Sequence, residues 1–221
     1  MAITMTRFER QRGSALFLIL IGIALFAALS YGISQGLRVS EGTMSGVSQD
    51  KARLEMAAVL DFLHGVQNGF QEMKLNGIDP SAVSFERPTD GTYGTAPYDL
   101  KIFHPLGGKV IFIPVWNEID DPSEATATDW SFISNSIDGV GSTQPDVIAA
   151  LVRVPQKLCE SMNESLIGST TIPNETGDMD NMFVSGSDSI TAVSCASCEG
   201  KRALCVRNGN VRVFYLVLDR G

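Results

Sequence analysis

Four cysteines, Cys159, Cys195, Cys198 and Cys205, are the residues of this sequence best suited to chemistry. Thiols in this number can form two disulfides, hold a zinc ion or carry out redox exchange. A four-cysteine zinc site normally has two close pairs, and Cys159 has no partner nearby in the sequence. A thioredoxin-like motif belongs at a helix start within a βαβ pattern, which is missing around Cys195 and Cys198. The pattern therefore favours two structural disulfides.

The pairing of these cysteines has three alternatives. A bridge inside Cys195-x-x-Cys198 would be of the strained, redox-active kind. We therefore expect Cys159 to pair with Cys195, and Cys198 to pair with Cys205. Closing a loop of some tens of residues in this way contributes roughly 3 to 4 kcal/mol to stability.

Two groups of acidic residues raise the question of calcium, because carboxylate oxygens are its preferred ligands. Neither group has the ligand spacing and central glycine of the helix-loop-helix calcium site. We interpret both groups as solvated loops and expect no cofactor, with calcium binding as the alternative. The groups are Glu118, Asp120, Asp121, Glu124 and Asp129, and Asp178 with Asp180.

The two histidines of the sequence do not indicate a catalytic site. His64 and His104 are the only histidines, and neither has a serine or cysteine nearby in a recognisable nucleophile motif. The sequence also contains no phosphate-binding loop, dinucleotide fingerprint or metalloprotease helix. We therefore expect a protein that is not an enzyme.

A long amphipathic helix is the clearest element of the sequence. Its apolar residues follow a 4-3-4-3-4-3 spacing, which places one stripe along about seven helical turns. Asn76-Gly77 and the nearby Pro80 mark its end. We expect the stripe to pack against a sheet. The stripe consists of Ala52, Met56, Val59, Leu63, Val66, Phe70 and Met73.

Short β-type runs separated by turn residues come after the helix. They cover residues 98–104, 110–115, 130–133, 147–154 and 211–218, and "PLGGKV" between the first two is typical of a hairpin turn. Between the last two, Pro155 can open a short helix that Gly168 ends. The predicted class is α+β, with a long N-terminal helix, an antiparallel sheet and one inserted helix.

Charge separates the N-terminus from the rest of the chain. The net charge of -8 argues against nucleic-acid binding, which needs clustered Lys and Arg. Arg7, Arg10 and Arg12 precede an uncharged run, residues 13–37, whereas the part after it is acidic. Such a run is long enough for a ~30 Å hydrocarbon core. The positive-inside pattern predicts a single membrane span, with a cytoplasmic N-terminus and an exported C-terminal body.

Small residues within this run bear on helix packing. Gly22 interrupts its most apolar part, residues 15–29, and Ala24, Ala27 and Ala28 are small enough to admit a neighbouring helix. The alternative is a lone anchor whose alanines face lipid. The sequence alone leaves both interpretations open.

The stretch "RQRGSALFLILIGIALFAALSYGISQG" resembles the N-terminus of type IV prepilins and of the pseudopilins of type II secretion. In these proteins a short basic leader ends in Gly, prepilin peptidase cuts after it, and the apolar helix first anchors the subunit and later forms the filament core. The resemblance implies a leader at 1–13, a filament-core helix at 14–37, a joint and amphipathic helix at 38–75 and an exported domain at 76–221. Cleavage would come after Gly13 and leave Ser14, open to N-methylation, at the mature N-terminus.

Position five of the mature chain is Leu18, where the family usually has Glu. That Glu is thought to neutralise the N-terminal amine of an adjacent subunit, and some minor members are similar to this chain in lacking it. The resemblance therefore implies a minor subunit at the tip or in the initiating complex of a pilus or pseudopilus, with prepilin peptidase and other pilin subunits as partners. The alternatives are a periplasmic protein released before Tyr31 by ordinary signal peptidase, and an uncleaved anchor carrying a ligand-binding domain.

Overall fold

The computed structural model of the protein describes residues 40–115, 119, 126–142 and 144–221, with side chains from residue 50 onward. Most of these residues belong to the compact unit Gln49–Gly221. The helices are α1 (Ser40–Leu75) and α2 (Gln156–Ile167), and the strands are β1 (Asp129–Asn135), β2 (Asp146–Val152), β3 (Ala203–Asn208) and β4 (Val211–Asp219).

The strands form one antiparallel sheet in the order β1-β2-β4-β3, so that β1 and β3 are the edge strands among the described residues. Residues of β2 are buried along its whole length, which agrees with its uncharged run of Val, Ile, Ala and Leu. An α+β chain with an antiparallel sheet and an inserted helix is therefore the correct fold class.

The apolar stripe of α1 packs against one face of this sheet. Val59, Leu63, Val66 and Phe70 are fully buried in a cluster that also contains Phe214. The helix ends as its sequence predicts, because Leu75 is its last residue and Gly77 takes a φ of +86° that favours glycine. The repeat of apolar residues thus fixes both the direction and the length of this contact.

Successive side chains of the central strands point to opposite faces of the sheet, and both faces are covered by apolar residues. Ala149 and Leu151 of β2 face α1 and α2, whereas Ile148 and Ala150 face the segment 179–198 on the other side. The inserted helix α2 ends at Gly168, whose φ of +71° and N–H bond to the Glu164 carbonyl form the expected cap.

Two of the expected strands are wrong. Residues 98–104 form successive turns, in which the N–H of Lys101 bonds to the Tyr98 carbonyl and the N–H of His104 to the Lys101 carbonyl. Residues 110–115 have no regular secondary structure, so "PLGGKV" closes a turn without joining two strands. Both segments pack through Ile102, Phe103 and Phe112 into the cluster around α1. Their backbone pairing is limited to single points, the bridge between Ser84 and Lys101 and the bond from the N–H of Val110 to the Ile102 carbonyl.

Strand β3 is the element that the sequence pattern missed. It forms a hairpin with β4 through Gly209 and Asn210, with Asn208 opposite Val211. Gly209 has a φ of +58°, which this tight turn requires. A Gly-Asn pair between apolar runs is a hairpin signal, and here it comes after a run of only four apolar residues.

No helix within the described residues is both long and apolar enough to cross a bilayer. The uncharged run at residues 13–37 lies outside the described residues. Of the joint that we expected from residue 38, residues 40 onward are part of helix α1. The expected membrane span and its small-residue stripe therefore stay predictions.

Candidate functional site

A disulfide joins the inserted helix to the edge of the sheet. Cys159 of α2 and Cys205 of β3 are bonded, with their Cα atoms 5.5 Å apart. One turn further along α2, the buried Asn163 side chain accepts from the N–H of Cys205 at 2.8 Å and donates to its carbonyl at 2.8 Å. The covalent bond and the two hydrogen bonds together fix α2 on β3.

The second disulfide lies within the short loop on the other face of the sheet. Cys195 and Cys198 are bonded, with Cα atoms 5.3 Å apart, and both residues are fully buried. Two disulfides are therefore present, but the expected pairing of Cys159 with Cys195 and Cys198 with Cys205 is wrong.

Strand alternation explains this pairing. Leu204 and Val206 of β3 face the cluster that contains Cys195 and Cys198, whereas Cys205 between them faces α2. A bond between Cys198 and Cys205 would have to cross the sheet.

A groove of about 710 Å³ runs along the outer edge of β1. Strand β1 forms one wall and the segment 80–87 forms the other, with Phe85 stacked on Phe132 at a ring distance of 4.8 Å. An edge strand directs alternate backbone N–H and C=O groups outward. The groove therefore combines an aromatic surface with backbone polar groups, which suits an uncharged extended ligand.

Ion pairs occupy the rim of this groove. The Arg87 guanidinium contacts both carboxylate oxygens of Asp129, at 3.0 and 2.8 Å, and donates to the Trp130 carbonyl. Arg153 contacts both oxygens of Asp180 at 3.0 Å. Because each cation already has an anion, the rim has little charge left for a charged ligand or for acid-base chemistry.

The acidic residues form no metal site in the described part of the chain, where no group of three or more candidate ligands occurs. Asp129 and Asp180 bind arginines, and Asp178 accepts hydrogen bonds from the N–H groups of Asp180 and Asn181. Glu118, Asp120, Asp121 and Glu124 lie outside the described residues, so the calcium alternative for that loop stays open to test.

The two histidines lie apart on the surface of the unit. His64 is exposed on α1, and His104 stacks on Tyr98 at 4.7 Å and accepts from the N–H of Leu106 through Nδ1 at 3.2 Å. The ring of His104 is thus engaged in holding its turn.

Lys101 is a buried charge that sequence analysis did not single out. It is 3% exposed and its Nζ donates to the carbonyls of Thr92, Tyr93 and Thr95 at 2.5, 3.1 and 2.6 Å, while pairing with Glu86 at 2.8 Å. Nothing in its neighbours marks a lysine as buried, because the acceptors are backbone carbonyls. It acts as the centre of the turns that form one side of the unit.

Asp146 is a second buried charge, at the start of β2. Its side chain accepts from the N–H groups of Gly221 at 3.2 Å and Ile137 at 3.3 Å. Burial raises the pKa of this carboxyl above its ordinary value, and the two N–H bonds partly oppose that shift. The carboxylate ties the backbone just after β1 and the backbone just after β4 to the start of β2.

The residues expected to carry processing and assembly lie outside the described residues. These are Gly13, Ser14, Leu18, Gly22, Ala24, Ala27 and Ala28. Their roles therefore rest on the sequence.

Comparison with protein-family models, curated proteins and solved structures finds no match to this chain.

Proposed function

We propose that the chain is a minor pilin-like or pseudopilin-like subunit, inserted in the bacterial inner membrane and cut after Gly13 by prepilin peptidase. The single observation that carries the proposal is the basic leader that ends in Gly13, directly at the start of the uncharged run at residues 13–37. A glycine in this place has no purpose in a secretion signal or a simple anchor.

The part of the chain after this run also supports the proposal. A 36-residue helix leads into a four-stranded antiparallel sheet and packs on it through one apolar stripe. Two disulfides suit an exported domain. In this proposal the mature N-terminal helix holds the subunit in the membrane before assembly and in the filament after it.

Leu18 carries the proposal that the subunit is present in few copies. A charge in the hydrocarbon costs at least ~2.5 kcal/mol even on the permissive insertion scale, so a buried Glu is worth keeping only beside a partner amine. A subunit that begins or caps a filament lacks a neighbour on one side. Leu18 then removes an unpaired charge without losing a contact.

Processing of a Gly13→Val variant tests the function. The peptidase must fit the residue before the scissile bond, and valine adds a branched side chain where glycine has none. We expect cells that contain the peptidase to leave the leader on this variant, while Gly36→Val, the matched glycine at the other end of the run, is cut as usual. Cleavage of Gly13→Val at the normal rate contradicts the proposal.

The copy number is tested separately, by quantitative mass spectrometry of sheared filaments. We expect far less of this chain than of the main subunit, and immunolabelling at filament ends. Equal abundance, or label along the whole shaft, contradicts the tip assignment while leaving the pilin-like function intact.

A second candidate is a periplasmic or membrane-anchored ligand-binding protein. The observation that favours it is the groove of about 710 Å³ beside β1, which has the volume of a small-ligand pocket. This candidate predicts a mature chain that begins at Tyr31, or a chain with an intact leader. It also predicts that a small molecule binds in the groove. The size of the N-terminal peptide therefore separates it from the first proposal.

A further inference from the structure

The groove along the outer edge of β1 is lined from both faces of the sheet. Phe132 lies on the face that carries α1, Ile133 lies on the opposite face, and both side chains line the groove. Val147 and Val152 of the neighbouring strand also line it, one from each face. Because the two faces of an edge strand meet only across its backbone, the backbone of β1 itself borders the groove.

That backbone carries unpaired polar groups on the side of the groove. The Trp130 carbonyl accepts from Arg87 on the opposite wall, so the backbone groups of Trp130 point into the groove. Every second residue of a strand directs its N–H and C=O to the same side, so those of Phe132 and Ser134 point there as well. Within the described part of the chain, no hydrogen bond uses the N–H or C=O of Phe132 or the N–H of Ser134. These three groups alternate as they do in a strand that lacks a neighbour.

Both ends of this open stretch are closed. At one end, Asp129 accepts from the N–H of Trp130 at 2.8 Å, and Arg87 donates to the Trp130 carbonyl. At the other end, the backbone of Gly186 lies against the Ser134 carbonyl, since a Cβ built on Gly186 would be 3.4 Å from that oxygen. The open groups therefore lie between two fixed ends, which define where an occupant begins and ends.

Groups in this order match the backbone of an extended chain. One residue opposite Phe132 in an antiparallel strand would both donate to the Phe132 carbonyl and accept from its N–H. The residue two positions earlier in that strand would accept from the N–H of Ser134. Its side chains would fall alternately on the face of Phe132 and on the face of Ile133, and both faces are apolar.

The charged residues at the rim already have partners. They form the pairs Arg87 with Asp129, Arg153 with Asp180 and Glu86 with Lys101, and Asp90 accepts from the backbone N–H of Arg87. A charged side chain that entered the groove would lose water without gaining an opposite charge, which makes its burial unfavourable. The occupant is therefore uncharged along the paired stretch.

We propose that the groove binds an extended, uncharged segment of another protein, which adds to β1 as a fifth, antiparallel strand of the sheet. The three open backbone groups supply the hydrogen bonds, and the apolar side chains on both faces select the residues of the segment. Val, Ile and Thr fit best, because β-branched side chains pack well on a pleated surface. The proposal adds a partner to the described unit and does not rest on the proposed function.

Selection from random heptapeptides displayed on phage tests the groove. The full chain is made in cells without prepilin peptidase and immobilised in detergent. We expect peptides with a run of uncharged β-branched residues to be enriched, and the same peptides in free form to bind the chain. The proposal is overturned if no such peptide is enriched over detergent alone, or if the enriched peptides carry charges within the run.

A pair of variants at Ser134 tests the backbone contact. The N–H of Ser134 points away from β2, so Ser134→Pro removes a donor from the groove without removing a bond between β1 and β2. Ser134→Pro should weaken binding of the selected peptide by about tenfold. Ser134→Ala keeps the N–H and should bind as the wild type does. Equal binding by both variants, with folding checked by circular dichroism, contradicts strand addition.

Methylation of the peptide tests the same contact with the protein unchanged. An N-methyl group at every position in turn should weaken binding only at alternate residues, because only every second N–H of the peptide faces β1. Losses without this alternation contradict strand addition. A purified chain that is dimeric until Ser134→Pro separates it would show a second copy in the groove and overturn the proposal. None of these measurements depends on leader cleavage, so their failure is distinct from failure of the proposed function.

Discussion

Cys159 of α2 is bonded to Cys205 of β3 across 46 residues of sequence, whereas Cys195 and Cys198 close a loop of only 3. Loop-closure entropy grows with the number of residues enclosed, so the two bridges should contribute different amounts to the free energy of unfolding. In the chain-entropy model the first contributes about 4 kcal/mol and the second about 2 kcal/mol.

Two double variants test this difference by chemical denaturation. Cys159→Ala with Cys205→Ala should lower the free energy of unfolding about twice as much as Cys195→Ala with Cys198→Ala. Equal losses would show that loop length does not determine the contribution of these bridges.

Lys101→Met removes the buried ammonium that holds the turns at residues 92–95. Three backbone carbonyls and Glu86 then lose their donor, and we expect a loss of about 2 to 4 kcal/mol in the free energy of unfolding. The matched control is Lys157→Met, whose side chain is 68% exposed and pairs with Glu160 at the surface. The control should change stability by less than about 0.5 kcal/mol. Similar values for both variants would contradict the structural role of Lys101.

Asp146→Asn tests the buried carboxyl through its pH dependence. Burial raises its pKa in the folded chain, so the folded state binds the proton more readily than the unfolded state. Its contribution to stability then falls as pH rises from the ordinary value of 3.8 through the raised pKa. We expect the variant to gain stability relative to the wild type as pH rises over this interval, measured by thermal unfolding.

Asp79→Asn is a control for which the change in stability with pH should have the opposite sign. The Ser81 hydroxyl and backbone N–H lower the pKa of Asp79, so its contribution is present above pH 3.8 and is lost as pH falls through the lowered pKa. This variant should therefore lose stability relative to the wild type as pH rises from the lowered pKa to 3.8. Slopes of the same sign in both variants would contradict these assignments.

The stripe of α1 is tested by truncating one buried residue. Phe70 is fully buried between the helix and the sheet, and Phe70→Ala should lower the free energy of unfolding by about 3 to 5 kcal/mol. Leu54 lies on the same helix with 74% exposure, and Leu54→Ala should change stability by less than about 0.5 kcal/mol. Equal effects would mean that the helix does not pack as described.

Elements with a regular repeat could be predicted from the sequence, and elements fixed by isolated contacts could not. The stripe from Ala52 to Met73 repeats over many turns, so the helix and its buried face are confirmed. Residues 98–104 have β-type composition, yet Lys101 finds its acceptors in a neighbouring turn and draws the chain into it. One such contact outweighs a weak propensity and leaves no mark in the pattern.

The number of disulfides could be predicted from the sequence, but their pairing could not. Four cysteines in a body that we expect to be exported predict two bridges, and two bridges are present. Their pairing depends on which face of the sheet Cys205 occupies, and that face is known only once β3 is recognised as a strand. The two-residue turn after Asn208 carried the missing signal.

The mature N-terminal residue is the most direct test of the proposed function. The protein is recovered from the membrane of cells that contain prepilin peptidase, and its N-terminal peptide is measured by mass spectrometry. Cleavage after Gly13 predicts a chain that begins at Ser14, with or without an N-methyl group. A chain that begins at Tyr31, or one that keeps its leader intact, contradicts the assignment as a pilin-like subunit.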